Sequence, residues 1–214
     1  MAHEQYVDKT EFKARLGLSG TAQDDNIDRA IDASSRLIDR YCQRRFYQDE
    51  SATIKYFNPI STVFCVVPDI STTTGLVVKL DTTDDGSYDT TLTLDTDFYL
   101  RPINPLHEKT VASTAHYHPY TELRILETRS SERFEPLINK NIQITAKFGW
   151  SRVPDAVVEA CVIQATRIWK RKDTPFNVFG NESTGTVELF NKFDPDAKEL
   201  LKGYRRLSLT GQVL

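Results

Sequence analysis

The densest run of carboxylates in this chain is Asp81-Thr82-Thr83-Asp84-Asp85-Gly86. Alternating acids closed by a glycine are the chemistry of a calcium loop, which needs oxygen ligands at fixed positions and a closing Glu. Thr83 stands where the second acid belongs, and Leu92 stands where the Glu belongs. The run therefore predicts a hairpin turn, with cation binding at Asp84-Asp85-Gly86 left open. His116-Tyr117-His118 sets two imidazoles at strand spacing for a metal, but Pro119 follows and no third ligand falls at a matching spacing. A polar loop is expected there. Cys42, Cys65 and Cys161 lie far apart in apolar settings, which predicts buried reduced thiols. No Gly-rich phosphate loop is present, no G-x-S-x-G, and no Cys/His arrangement for a nucleophile. The carboxylates are scattered, so none forms an acid/base pair. No catalytic residue, metal ligand or cofactor site is assigned, and the chain is not expected to be an enzyme.

Composition narrows the classes further. A net charge of −3 and a pI near 5.8 are not those of a basic nucleic-acid binder. The basic cluster Arg167, Lys170, Arg171, Lys172 reads as a solvated helix end that complements the helix dipole, with Trp169 as core or interface. The opening Met1-Ala2-His3-Glu4-Gln5 lacks an apolar signal core, and no run approaches the ~18 apolar residues of a membrane helix. A reducing, aqueous compartment and no membrane partner are expected.

The elements that would position any site begin with a short helix over about Thr10–Leu16, capped by Asp8 or Thr10 and ended by Gly17. A long helix follows from Asp24 or Asp25 to about Phe46. Its stripe is Ile27, Ile31, Ser34, Ile38 and Tyr41, at spacings of three and four. From Ser51 the texture changes to short β-branched and aromatic runs. These are Thr53–Phe57, Thr62–Val67, Leu76–Leu80, Thr91–Leu94, Phe98–Leu100, Glu122–Glu127 and Asn141–Phe148. Residues 101–120, with Pro102, Pro105 and Pro119, read as an ordered loop and not a strand.

Phe148-Gly149-Trp150-Ser151-Arg152-Val153-Pro154 then hands the chain to a helix apolar on almost every side, from Val157 to Trp169. Pro154 suits the first helical position, and a helix this apolar is buried on more than one side. Gly149 would permit the turn, Trp150 would pack between the two parts, and Pro154 would set the angle of re-entry. Residues 173–193 read as a long loop or a hairpin around Thr186–Phe190. Asp194-Pro195-Asp196 starts a last helix carrying Ala197, Leu200, Leu201 and Tyr204. The fold class expected is α+β: a small helical bundle with a long antiparallel β insertion. Residues 1–51 would be the N-terminal helices and 52–150 the insertion. Residues 151–214 would complete the bundle, with the loop and a short tail.

This order of pieces resembles head–tail connector (head-completion adaptor) proteins of tailed double-stranded DNA bacteriophages. The resemblance rests on Asp24-Asp25-x-Ile27-x-x-Ala30-Ile31-x-Ala33-Ser34, followed by Ile38-Asp39-x-Tyr41-x-x-Arg44-x-Phe46. It continues in Asp97-Phe98-Tyr99-Leu100-x-Pro102-x-Asn104 and Pro119-Tyr120-Thr121, then in Phe148-Gly149-Trp150-x-x-Val153-Pro154. It closes in Gln164-Ala165-x-Arg167 and Asp194-Pro195-Asp196-Ala197-x-x-Leu200-Leu201-x-x-Tyr204-Arg205-Arg206.

The resemblance implies a structural virion protein: a ring beneath the portal that closes the filled head, extends the DNA channel and offers the tail a platform. The implied partners are the portal protein, a tail or neck completion protein, and copies of the chain itself. The ring would be dodecameric when assembled, from a chain that can be monomeric in isolation. DNA would pass through without specific binding. The implied place is the virion neck, and the host cytoplasm during assembly. Tyr204, Arg205, Arg206 and the tail with Leu207 and Leu209 would dock on the portal. The loop with Asn177, Gly180, Asn181 and Gly185 would face the channel. Gly149, Trp150 and Pro154 would form the fold junction. Two other readings compete. One is a β-rich carbohydrate-binding module stacking sugars on Tyr99, Tyr117 and Tyr120. The other is a DNA-binding protein using the N-terminal helix pair.

Overall fold

A computed structural model describes residues 4–108, 116–171 and 193–206. The fold is α+β, with four α-helices and two main antiparallel sheets among the described residues. The chain divides into two compact units, Met1–Arg45 with Val153–Leu214, and Phe46–Arg152.

In the first unit, α1 (Lys9–Leu16) starts where the Asp8 carboxylate accepts the Thr10 N–H at 2.7 Å. It ends at Gly17, whose φ of 63° lets its own N–H and that of Leu18 reach back to Ala14 and Lys13 carbonyls. Helix α2 (Asp24–Cys42) buries Ile27, Ala30, Ile31, Ser34, Ile38 and Cys42 along one side, the stripe that the spacing of its apolar residues requires. It stops before the expected end at Phe46. Gln43 turns left-handed at φ 55° and donates its N–H to the Asp39 carbonyl. Periodicity does not reveal that stop, because Gln is not a residue that announces a left-handed cap.

Helix α3 (Asp155–Lys170) begins one residue later than expected. Pro154 keeps an extended ψ of 145°, while its carbonyl accepts the first helical bonds from Val157 and Val158. The helix packs against α2 and against α4 (Pro195–Leu201). Ala160, Cys161 and Ala165 are small and wholly buried, so neighbouring helices approach closely. Ser34 and Ser35 face the same interior, and each satisfies its hydroxyl on the carbonyl four residues back. Ser35 Oγ also accepts the Tyr6 N–H at 3.1 Å and lies 3.6 Å from Cys161 Sγ. Asp194 caps α4 by accepting from Asp196 and Ala197, with Pro195 in the first turn. Two side chains of α3 hold that cap in place: Gln164 Oε1 accepts the Asp194 N–H at 2.9 Å, and Arg167 pairs with its carboxylate at 2.9 Å.

The second unit is a β-sandwich. One sheet has the order β1 (Thr53–Phe57), β9 (Ile142–Ala146), β3 (Val77–Leu80), β4 (Thr90–Leu92). The other has β2 (Phe64–Ile70), β8 (Tyr120–Ile125), β5 (Phe98–Arg101). Their inner faces share one core, including Val67, Val78, Leu80, Phe98, Leu123, Ile142, Ile144 and Phe148. Strand β2 starts later than expected and runs through Pro68. It can do so because it is an edge strand whose register shifts between Val66 and Ile70. Residues 101–120 are not wholly loop: β6 (His107–Glu108) and β7 (His116–Tyr117) pair antiparallel, the tertiary fold supplying the partner that the prolines obscured. The expected loop or hairpin of residues 173–193 lies outside the described residues except for Phe193.

All three thiols are buried, and burial pushes each up to about 12. Helices α1 and α2 are tied by Lys9–Asp28 at 2.8 Å and Lys13–Asp24 at 2.7 Å. The Lys13 ammonium, hydrogen-bonded to Asp24, holds that carboxyl below its ordinary value. A lowered folded pKa adds stability above the ordinary Asp value and loses it as pH falls through the folded one. The melting-temperature advantage of the wild type over Asp24→Asn is therefore expected at neutral pH and fades below the carboxylate range. An advantage that grows in acid would contradict the pair.

Candidate functional site

Among the described residues no three His, Cys, Asp or Glu side chains gather to hold a metal. The Asp81 carboxylate, the most buried of the acidic run, is engaged by its own turn. Oδ1 accepts the N–H groups of Thr83 and Asp84, and Oδ2 accepts that of Gly86. The carboxylate thus organises a hairpin turn. Asn141, wholly buried, supports the turn by donating to the Asp81 carbonyl at 2.6 Å. The His118 ring packs at a tilt against Trp150, with ring centroids 4.9 Å apart. The features with most structure behind them are therefore surfaces and a junction.

At the junction the chain's entry into the β unit lies beside its exit. Asp49 donates its N–H to the Phe148 carbonyl at 2.8 Å, and Trp150 donates its own to the Tyr47 carbonyl at 3.3 Å. Gly149 sits between them at φ +104°, its N–H given to the Asp69 carbonyl at 2.7 Å. A Cβ on Gly149 would come within 1.8 Å of the Tyr47 oxygen. The turn thus needs glycine twice, for its dihedral and for the space. Trp150 is buried, with its ring against Phe46 and its indole N–H on Asp69 Oδ2 at 2.9 Å. These partners of Trp150 belong to the β unit. Tyr47 and Asp69 carry no sequence signal for this role; only the fold brings them to residues 148–150.

The expected docking segment is described as far as Arg206. Its N–H caps α2 by donating to the Cys42 carbonyl at 2.8 Å. The Arg205 guanidinium lies 5.0 Å from the centre of the Tyr41 ring, and that ring stacks on Phe193 at 5.1 Å. A cation beside the C-terminal carbonyls of α2 complements the dipole there. Tyr204 is half-buried at the end of a 3-10 turn, Lys202–Tyr204. Leu207 and Leu209 lie outside the described residues, as do Asn177, Gly180, Asn181 and Gly185.

The two outer sheet faces differ in chemistry. On the three-stranded sheet, Phe64, Arg124 and Tyr99 form one row, and Val66, Glu122 and Arg101 form another, with the β8 residue in the middle of each. Glu122 meets both arginines, at 3.9 Å and 3.5 Å, while Arg124 lies over Phe64. On the four-stranded sheet, Ile54, Thr145 and Val77 form one row, and Tyr56, Gln143, Lys79 and Thr91 form the next. Ile54, Tyr56 and Val77 are 55%, 49% and 39% exposed.

The rival readings gain little from this arrangement. Tyr120 packs against the sandwich core, and the side chain of Tyr117 lies outside the described residues. In the N-terminal helix pair, Lys9 and Lys13 are engaged by Asp24 and Asp28, which leaves less positive charge for phosphate.

No family model matches the chain, and no curated protein matches it. Among solved structures, the chain is similar to one described as the neck of an empty GTA particle computed with C6 symmetry. The likeness has a TM-score of 0.51 at 12% identity, and covers 98% of this chain and 94% of that one. At that identity the shared property is the fold, and it extends over both chains almost end to end.

Gly149→Ala is expected to destabilise the protein by about 3 kcal/mol or more, since backbone atoms must move and a left-handed dihedral is strained. Urea unfolding followed by tryptophan fluorescence measures this, and a change under 1 kcal/mol would show that the contact relaxes freely.

Proposed function

We propose that the chain is a structural component of the neck of a tailed-phage-like particle, a non-enzymatic connector that forms a ring between head and tail. The observation that carries this reading is the end-to-end likeness of fold to a neck chain. The order of sequence pieces that resembles head–tail connectors supports it independently. A closed ring joins one face of each subunit to a different face of the next. A net charge of −3 suits a channel through which DNA slides without being gripped.

In this reading the segment from Tyr204 through Leu207 and Leu209 to Leu214 reaches the portal protein, and the loop with Asn177, Gly180, Asn181 and Gly185 faces the lumen. Gly149, Trp150 and Pro154 form the junction that lets a long insertion sit in a helical bundle. A tail or neck completion protein binds the far side. The place of action is the virion neck, reached after assembly in the host cytoplasm, and the assembled ring is dodecameric.

The test is assembly. Purified chain mixed with its portal protein is expected to form rings under negative-stain microscopy, and a chain that stays monomeric on the portal overturns the reading. Removal of residues 207–214 leaves the Arg206 cap on Cys42 intact. The truncated protein is therefore expected to keep its melting temperature and lose at least tenfold in portal binding. Unchanged portal binding would remove the docking role of the tail.

A further inference from the structure

The outer face of the four-stranded sheet is prepared for burial. Strand register places Ile54, Thr145 and Val77 across one row, with Tyr56, Gln143, Lys79 and Thr91 across the next, and the Tyr88 ring lies against Tyr56 at 5.5 Å. Lys79 alone of these is charged. The opposite sheet instead shows Glu122 paired with both Arg101 and Arg124. Covering the first face desolvates apolar and uncharged groups plus one ammonium, whereas covering the second would strip water from three charges.

The β unit also carries an exposed apolar side chain beside an exposed acid. Leu137 is 96% exposed, on an exposed turn, Glu135–Ile138, closed by the Ile138 N–H on the Glu135 carbonyl at 3.0 Å. The turn is fixed from below. Wholly buried Asn141 accepts the Glu135 N–H at 2.9 Å and donates to the Asp81 carbonyl. A preorganised apolar knob loses little conformational entropy on docking. Glu135 is exposed beside it and Lys79 is half-exposed on the sheet. Neither has an ion pair among the described residues.

We infer that the sheet face of one copy receives the Glu135–Leu137 turn of a second copy. Leu137 seats among Ile54, Tyr56 and Val77, and Glu135 pairs with Lys79. The two surfaces differ, so the contact is head-to-tail and can repeat round a ring. The inference rests on the ring reading above and names surfaces that reading does not.

The test uses full-length protein on its portal. Leu137→Asp and Val77→Asp alter exposed side chains, so the melting temperature stays near wild type while ring yield falls at least tenfold. Lys79→Glu and Glu135→Lys each lower ring yield, and the double exchange restores it, which a merely structural role would not do. Val77→Cys with Leu137→Cys in one chain gives a ladder of disulfide-linked oligomers on oxidation, because the native thiols are buried. Wild-type-like rings from both aspartate variants, or absence of the ladder from assembled rings, overturn this contact and leave the ring standing. Failure of the wild type to form rings on its portal overturns the ring and this contact together.

Discussion

The peptide of Gly149 passes so close to Tyr47 that no side chain fits between them. That close approach clamps the two ends of an insertion of about a hundred residues, Phe46–Arg152, to one another. Inserted units are tolerated when their ends lie side by side, because the host then pays little to accommodate them. The hydrogen bonds from Asp49 to Phe148 and from Trp150 to Tyr47 set the separation, and the Asp69 carbonyl holds the Gly149 amide. Asp69 then closes the arrangement a second time through the Trp150 indole. A buried carboxylate is costly unless its oxygens are engaged, so Trp150 and Asp69 depend on each other.

The helical unit solves a similar problem with polar side chains at helix ends. Gln164 and Arg167, on one face of α3, fix Asp194, and Asp194 caps α4. The short last helix is thereby attached to α3 by polar contacts in addition to the packing of its own apolar residues, Ala197 and Leu201. The chain after α4 returns to the C-terminal end of α2, where Arg206 takes an otherwise unsatisfied carbonyl and Arg205 sits over Tyr41. The chain up to Arg206 is thus anchored at a defined place. The β unit fixes its exposed turns in the same way, with Asp81 and Asn141 as buried polar supports.

The fold class was legible because periodicity reports burial. Ile27, Ile31 and Ile38 fall on one helical face, and Ile142 and Ile144 alternate into the sandwich, as their spacing requires. Caps with a dedicated residue, Asp8, Gly17 and Asp194, were also legible, since their side chains or lack of one make the bond locally. Termination at Gln43 was not, because nothing in glutamine favours a left-handed turn. Nor were β6 and β7, where a two-residue ladder depends on a partner strand and not on local pattern. The extension of β2 through Pro68 to Ile70 was not legible either, since whether a strand tolerates proline depends on its being at an edge.

The amino-acid sequence by itself determined the order helices, β insertion, helices, and the absence of any motif that concentrates chemistry. Both follow from local spacing and residue type. Only the tertiary structure decided which surfaces exist. Ile54, Val77 and Thr145 are remote in sequence and share a row through strand register alone. Leu137 is an ordinary leucine in the sequence, and becomes a presented knob because Asn141 and Asp81 hold its turn from beneath. Gly149 shows the division most plainly. Its type suggested a turn, but the reason that no other residue can stand there is the Tyr47 oxygen, about a hundred residues earlier in the chain.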